Sequence, residues 1–142
     1  MPVSDCGVRQ DSMPVTYRVD ADRKIIRTQC IGPVTLLEVI DHFRQLRQDL
    51  SKPDRLDVLL DLTETTSLPA GHQLYQVSQE VGNVRKQLQF GACAIVANRD
   101  ALFGMMRMFE VIVEEYFDAT RVFRSVDEAE TWLSGQQAAQ AR

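Results

Sequence analysis

The chain has 142 residues, of which 44% are hydrophobic and 25% are charged. This length and composition are those of one globular domain, and they exclude collagen-like, coiled-coil and disordered chains. The formal net charge of -4, from 16 basic and 20 acidic residues, argues against a broad cationic surface for nucleic acid or anionic membranes.

The first part of the chain is expected to form a tail and a β-hairpin. Residues 1–14 show no periodicity and lack the apolar segment of a signal peptide, so we expect a flexible tail and a cytoplasmic protein. No stretch approaches the roughly 20 apolar residues that would cross a bilayer. Apolar and polar residues alternate over 15–20, and a second strand-like segment occupies 24–31. The turn-forming residues between the two segments predict a hairpin.

A helix and a buried strand are predicted next. Thr35 and Glu38 have the spacing of a capping box, in which a hydroxyl and a carboxylate accept hydrogen bonds from free backbone N–H groups. Apolar residues follow at helical spacing as far as Leu50. Residues 56–62 are almost continuously apolar, which is typical of a central strand buried on both faces.

The rest of the chain alternates helices with strands. Helices are predicted over 74–88, 100–117 and 126–134, with Gly135 expected to end the last, and strands over 90–97 and 120–124. The order β-β-α-β-α-β-α-β-α predicts a single α/β domain over residues 15–134. Its sheet is expected to be mixed, with parallel later strands. A polar tail is expected over residues 135–142.

Four stretches, taken in this order, resemble the STAS superfamily of sulphate transporter and anti-sigma-factor antagonist domains. They are residues 32–35 after the hairpin, 56–62 as a hydrophobic strand with Asp61 near its end, 94–110 as a strand leading into a helix, and 122–133 as a strand with a capped helix. The chain is similar to the stand-alone bacterial members of SpoIIAA-like type over residues 15–134. This resemblance implies a STAS-like fold and a non-enzymatic, partner-binding regulatory function.

The loop over residues 63–71 carries candidate regulatory hydroxyls. In the anti-sigma-factor antagonists, a partner kinase phosphorylates a Ser after the central strand, within an Asp-Ser-Ser-Gly pattern. The chain lacks this pattern and has Thr65, Thr66 and Ser67 in the corresponding stretch. A phosphate there would add nearly two negative charges close to a helix N-terminus. The alternative is that Ser67 only serves as the N-cap of the next helix, with Pro69 in its first turn.

The predicted helix over 100–117 is apolar around most of its circumference, whereas a surface helix needs only one apolar stripe. Its second face is therefore expected to be covered by a neighbouring helix, by a second copy of the chain in a homodimer, or by a small apolar or lipid-like ligand. The residues that would form this interface or line this pocket are Met105, Met106, Phe109, Ile112 and Tyr116. Arg107 is expected to pair with Glu110 or Glu114 on the surface.

The cysteines and histidines show no strong catalytic or metal-binding pattern. Cys30 and Cys93 lie in apolar strands and are expected to be buried, reduced thiols. Glu38 and His42 have a spacing that could hold a metal. A third ligand is missing from the neighbouring sequence, so a solvated pair on one helix is the favoured interpretation.

The remaining motifs favour binding over catalysis. A hydrolase using Ser67, His72 and Asp61 is kept as a third hypothesis, although the chain has neither a nucleophile elbow nor a phosphate-binding glycine loop. We expect no catalytic residue, metal or cofactor, and the scattered arginines indicate surface ion pairs rather than a nucleic-acid site. The sequence thus predicts a STAS-like regulatory module that binds protein or ligand and forms a homodimer. The alternative is a carrier or sensor of a small apolar molecule in a pocket beside helix 100–117.

Overall fold

A five-stranded mixed sheet forms the centre of the protein, whose computed structural model describes residues 14–49 and 55–140. The strands are β1 (Val15–Asp20), β2 (Ile25–Gly32), β3 (Arg55–Thr65), β4 (Gln89–Val96) and β5 (Ala119–Phe123). Within these residues the helices are α1 (Leu36–Asp49), α2 (Gly71–Arg85), α3 (Asp100–Ile112) and α4 (Val126–Gln140), with a short 3₁₀ helix at Glu114–Tyr116. The predicted order of strands and helices is confirmed.

The strands lie side by side in chain order. β1 and β2 form the predicted antiparallel hairpin, in which Val15 is opposite Cys30 and Asp20 is opposite Ile25. The Asp20 carboxylate accepts a hydrogen bond from the backbone N–H of Arg23 at 3.2 Å, which closes the turn. The pairs β2–β3, β3–β4 and β4–β5 are parallel, because a helix returns the chain to the same end of the sheet before each strand.

The sheet is covered on both faces, but unequally. α1, α2 and α3 pack on one face, around a core that includes Ile26, Leu74 and Ile95. α4 alone covers the other face, where Ala129 and Leu133 are fully buried. Successive side chains of a strand point to opposite faces, so the interior strand β4 contributes to both cores and is buried along almost its whole length.

α4 is tied to the sheet by polar contacts near its C-terminus. The Gln137 side-chain amide donates to a carboxylate oxygen of buried Asp57 at 2.8 Å and to the backbone carbonyl of Arg23 at 2.6 Å. The other oxygen of Asp57 accepts from the Ala92 N–H at 2.8 Å. The prediction that Gly135 ends this helix is wrong, since the helix continues to Gln140. Tertiary contacts outweigh the cost of about 1 kcal/mol for a glycine inside a helix, and most of the expected polar tail is helical.

Three further elements differ in their boundaries from the predictions. β3 extends to Thr65, and α2 spans Gly71–Arg85 rather than residues 74–88; the Gln73 side chain accepts from the Ala70 N–H at 2.8 Å at its start. Ser67 is therefore not the N-cap of α2, and that prediction is wrong. α3 ends at Ile112 and is followed by the 3₁₀ helix, so the predicted helix to residue 117 is interrupted.

Of the predicted tail over residues 1–14, only Pro14 lies within the described residues, and its carbonyl accepts from the Ile31 N–H at 2.9 Å. Among the helices of the described ranges, none combines the length and the apolar character needed to cross a membrane.

Candidate ligand pocket

A cavity of about 450 Å³ opens between α1, α2 and the sheet. This volume lies within the range of about 300 to 1,000 Å³ that is usual for small-molecule sites. The floor is formed by side chains of the first three strands, namely Val15, Thr28, Cys30, Leu60 and Leu62. The walls come from Leu36, Val39, His42 and Phe43 of α1 and from Gln73, Leu74 and Val77 of α2. Leu102, Met106 and Phe109 of α3 complete the lining on the helix side, so the cavity is enclosed mostly by apolar groups.

The position of α1 explains why the cavity exists. Leu46, near the C-terminus of α1, is its single fully buried side chain. Leu36, Val39 and Phe43 are only partly buried, although they are apolar, because they face the cavity rather than a filled core. α1 is thus packed closely at one end and stands over open space along its first turns.

The polar groups that line the cavity are uncharged at neutral pH. Thr28 is 3% exposed, and its hydroxyl lies 3.4 Å from the Nε2 atom of His42. The imidazole also contacts the ring of Tyr17 edge-on, with ring centroids 5.4 Å apart, and the ring of Phe43 at 5.0 Å. Burial lowers the pKa of His42 to about 4, so the ring is neutral near pH 7. We refer to Thr28 and His42 as the polar pair.

The interpretation of Glu38 and His42 as a solvated pair is wrong. Glu38 caps its own helix, because its carboxylate accepts from the Thr35 N–H at 2.8 Å and its N–H donates to the Thr35 hydroxyl at 3.2 Å. This confirms the predicted capping box. His42 lies one turn further on and lines the cavity. Within the described residues, no group of three or more His, Cys, Asp or Glu side chains is arranged to hold a metal ion.

The mouth of the cavity is formed by two loops that hydrogen bonds hold together. The Thr65 hydroxyl donates to the carbonyl of Gly32 at 2.8 Å, and the Val34 N–H donates to the Ser67 hydroxyl oxygen at 2.6 Å. Gly32 has a φ of 68°, in the left-handed region that favours glycine. The Arg99 guanidinium donates to the Ser67 carbonyl at 2.6 Å from the start of α3. The loop after β3 is therefore fixed to the loop before α1.

These contacts place the three candidate regulatory hydroxyls in different surroundings. Thr65 is buried, and Ser67 is partly buried with its hydroxyl oxygen bound to the Val34 N–H; both line the cavity. Thr66 is exposed. Phosphorylation of any of the three stays a prediction, and Thr66 is the one whose side chain a kinase would reach without opening the loop.

Two of the five residues that were predicted for an interface or pocket contribute to the cavity. Met106 and Phe109 line the cavity. Met105, Ile112 and Tyr116 are partly buried and pack against the main core instead. A Cβ atom added to Gly82 of α2 would lie 3.1 Å from the Tyr116 ring, which shows how closely the two elements approach.

Part of the second face of α3 is thus packed within the domain, at Met105 and Ile112. Met108 and Val111 remain 47% and 64% exposed. The predicted surface pair is confirmed, since Arg107 Nε lies 3.6 Å from a Glu110 carboxylate oxygen.

The buried thiols are confirmed. Cys93 is in the core and Cys30 forms part of the cavity floor. Burial, with a smaller contribution from Asp61, raises the pKa of the Cys30 thiol to about 12, and burial also raises the pKa of Cys93. Both groups are thus protonated near pH 7, the form in which a thiol is a poor nucleophile.

The structure does not support the hydrolase hypothesis. The carboxylate of Asp61 accepts from the Thr63 N–H at 2.9 Å and from the Thr63 hydroxyl at 2.7 Å. His72 is exposed on the first turn of α2. Over residues 14–49 and 55–140, no hydrogen bond joins Ser67, His72 and Asp61.

The sequence missed the contributions of β2 and α1 to this site. The polar pair and the apolar side chains of α1 form about a quarter of the lining residues, yet their pattern in the sequence is that of an ordinary half-buried strand and an amphipathic helix. His42 among apolar neighbours of a helix was the one signal that pointed to this region.

Comparison with protein-family models and with curated proteins gives no match. Among the solved structures that match is an uncharacterised protein of the DUF3478 family with a SpoIIAA-like fold, from Shewanella loihica PV-4. The two structures superimpose with a TM-score of 0.55, over 84% of this chain and 91% of the other, at 16% sequence identity. The chain has a SpoIIAA-like fold. The predicted resemblance is confirmed at the level of the fold. Because this SpoIIAA-like neighbour is itself uncharacterised, the function has to be argued from the pocket.

Proposed function

We propose that the protein is a non-enzymatic binding module of SpoIIAA-like fold, which carries or senses a small, largely apolar molecule held between α1, α2 and the sheet. The cavity of about 450 Å³ is the observation that carries this proposal. Its lining is mostly apolar and includes a few hydrogen-bonding groups, the combination that is typical of ligand sites.

The energetics of the cavity favour an occupant. Leu36, Val39 and Phe43 leave part of their apolar surface facing the cavity. A well-packed core would remove this surface from water. Each Å² of apolar surface that a ligand covers contributes about 25 cal/mol. A ligand that covers about 150 Å² of this apolar surface would gain roughly 4 kcal/mol before the entropic cost of association. Filling the cavity should therefore also raise the stability of the fold.

A pair of substitutions on α1 tests the proposal. Val39 lines the cavity, whereas Leu37 is 64% exposed and does not. We expect Nile red, an uncharged fluorescent dye, to bind the wild-type protein. The Val39→Trp variant should bind it at least about tenfold more weakly, because the indole fills the cavity, while Leu37→Trp should bind as the wild type does. Failure of the wild type to bind, or equal binding by all three proteins, would refute the proposal.

Homodimerisation through α3 stays a second proposal. It is supported by the exposure of Met108 and Val111, since apolar side chains on a surface helix are typical of protein interfaces. Sedimentation at micromolar concentration is the test. We expect a homodimer that the Met108→Asp and Val111→Asp variants convert to monomers without loss of folding, and a wild-type monomer would contradict this.

A further inference from the structure

The lining of the cavity carries information about the charge of its ligand. Among the described residues that line it there is no Lys, Arg, Asp or Glu, and the polar side chains are hydroxyls, one amide and the His42 imidazole. Of the described side chains that line the cavity, only His42 and Cys30 titrate. A ligand that brings a net charge into this space would find no opposite charge among these lining residues to balance the loss of its hydration.

Charged side chains nearby have other partners. Glu38 caps α1, and the Arg99 guanidinium is bound to the Ser67 carbonyl at the mouth. The carboxylate of Asp49 accepts a hydrogen bond from the Tyr17 hydroxyl, on the far side of the ring that contacts His42. None of these groups lines the cavity, so none would pair with a charge inside it.

The polar pair offers hydrogen bonds to an uncharged group. The distance of 3.4 Å between the Thr28 hydroxyl and His42 Nε2 is long for a hydrogen bond, so both atoms would gain from a third partner that approaches them from the cavity. Both residues line the cavity, so such a partner has to approach them from inside it. Together, a hydroxyl and a neutral imidazole can donate one hydrogen bond and accept another.

We propose that the pocket selects uncharged amphiphiles, whose hydroxyl, carbonyl or amide group binds to the polar pair, over carboxylates with the same apolar chain. This inference rests on the proposed function, since it specifies the ligand of the same cavity. It separates two classes of apolar molecule that the volume of the cavity alone would accept equally.

Displacement of Nile red near neutral pH by decanol and by decanoate tests the inference. The two molecules share one chain length, and decanoate is ionised at this pH because carboxylic acids titrate near pH 4. We expect decanol to bind at least about tenfold more tightly than decanoate. The greater water solubility of decanoate also weakens its binding, so variants are needed to show that the pocket itself contributes to the difference.

Two variants isolate the contribution of the pocket. Thr28→Val keeps the shape of the side chain and removes its hydroxyl, so decanol should bind about 3- to 10-fold more weakly while decanoate changes little. Leu68 is 52% exposed at the mouth, and Leu68→Arg adds a cation there, so decanoate should gain affinity relative to decanol. Leu37→Arg, on an exposed site outside the cavity, is the matched control for a change in net charge.

The outcomes distinguish this inference from the proposed function. If decanol and decanoate displace the dye with affinities within about threefold of each other, the selectivity is refuted while ligand binding stands. If Thr28→Val leaves the preference unchanged, the role of the polar pair is refuted. His42→Gln provides the same test should Thr28→Val not fold. If Nile red does not bind the wild type at all, the proposed function itself fails.

Discussion

The neutral His42 imidazole makes the stability of the fold depend on pH in a predictable direction. The pKa of His42 is lowered to about 4 in the folded protein, from an ordinary value of 6.5, because burial disfavours the charged ring. Between these two values the unfolded chain binds more protons than the folded one. Stability therefore increases with pH across this window, and the contribution of His42 is lost as the pH falls from 6.5 to 4.

The lowered pKa sets the size of the effect. A shift of about 2.5 pH units corresponds to roughly 3 kcal/mol between neutral pH and pH 4, of which about 2 kcal/mol is lost by pH 5. Other groups also lower the stability as the pH falls towards 4 and below, among them Asp20 and Glu130, whose pKa values are lowered in the folded state mainly by hydrogen bonds, to the Arg23 N–H and to the Arg27 guanidinium respectively. A comparison with a variant that lacks only the imidazole removes their contribution.

Urea unfolding of the wild type and of His42→Gln, measured from neutral pH to pH 4, is the assay. We expect the free energy of unfolding of the wild type to fall by up to about 3 kcal/mol more than that of the variant over this range. Parallel curves for the two proteins would refute the argument, because they would show that the ring remains protonated or accessible to water in the folded state. A larger fall in the variant would contradict the sign.

Two further predictions concern the attachment of α4 to the sheet. A Cβ atom at Gly91 would collide with a carboxylate oxygen of Asp57, so Gly91→Ala should lower the free energy of unfolding by about 1–3 kcal/mol in urea titrations. Gly104→Ala, in open space within α3, should instead stabilise the protein by up to about 1 kcal/mol, and equal effects at both sites would contradict this account. Gln137→Ala should cost about 1–2 kcal/mol, because it removes one partner of the buried Asp57 carboxylate. The exposed Ser134→Ala change on the same helix should cost little, and an equal loss would refute the role of Gln137.

The order of the elements could be predicted because its signals are local. Alternation over residues 15–20, continuous apolar character over 56–62 and the capping box at Thr35 and Glu38 each depend on a few neighbouring residues. Local patterns predict element type well and element ends poorly. Gly135 illustrates the second point, since local propensity marks it as a helix end, whereas the distant contact of Gln137 with Asp57 extends the helix.

The pocket could not be predicted in the same way. Its existence depends on how far α1 stands from the sheet, and no periodicity in the sequence reports that distance. The apolar excess of the predicted helix over 100–117 favoured residues such as Met105 and Tyr116, but these pack against the core and do not line the cavity. The side chains of α1 that face the cavity look in the sequence like an ordinary apolar stripe.

NMR chemical-shift mapping with decanol tests most directly whether the cavity between α1, α2 and the sheet is the binding site. We expect the backbone amides of Thr28, Val39, His42 and Val77 to shift as decanol is added, while those of α4, on the opposite face of the sheet, stay unchanged. Shifts confined to α4 or to the exposed residues of α3 would contradict the account, and so would the absence of any saturable shift.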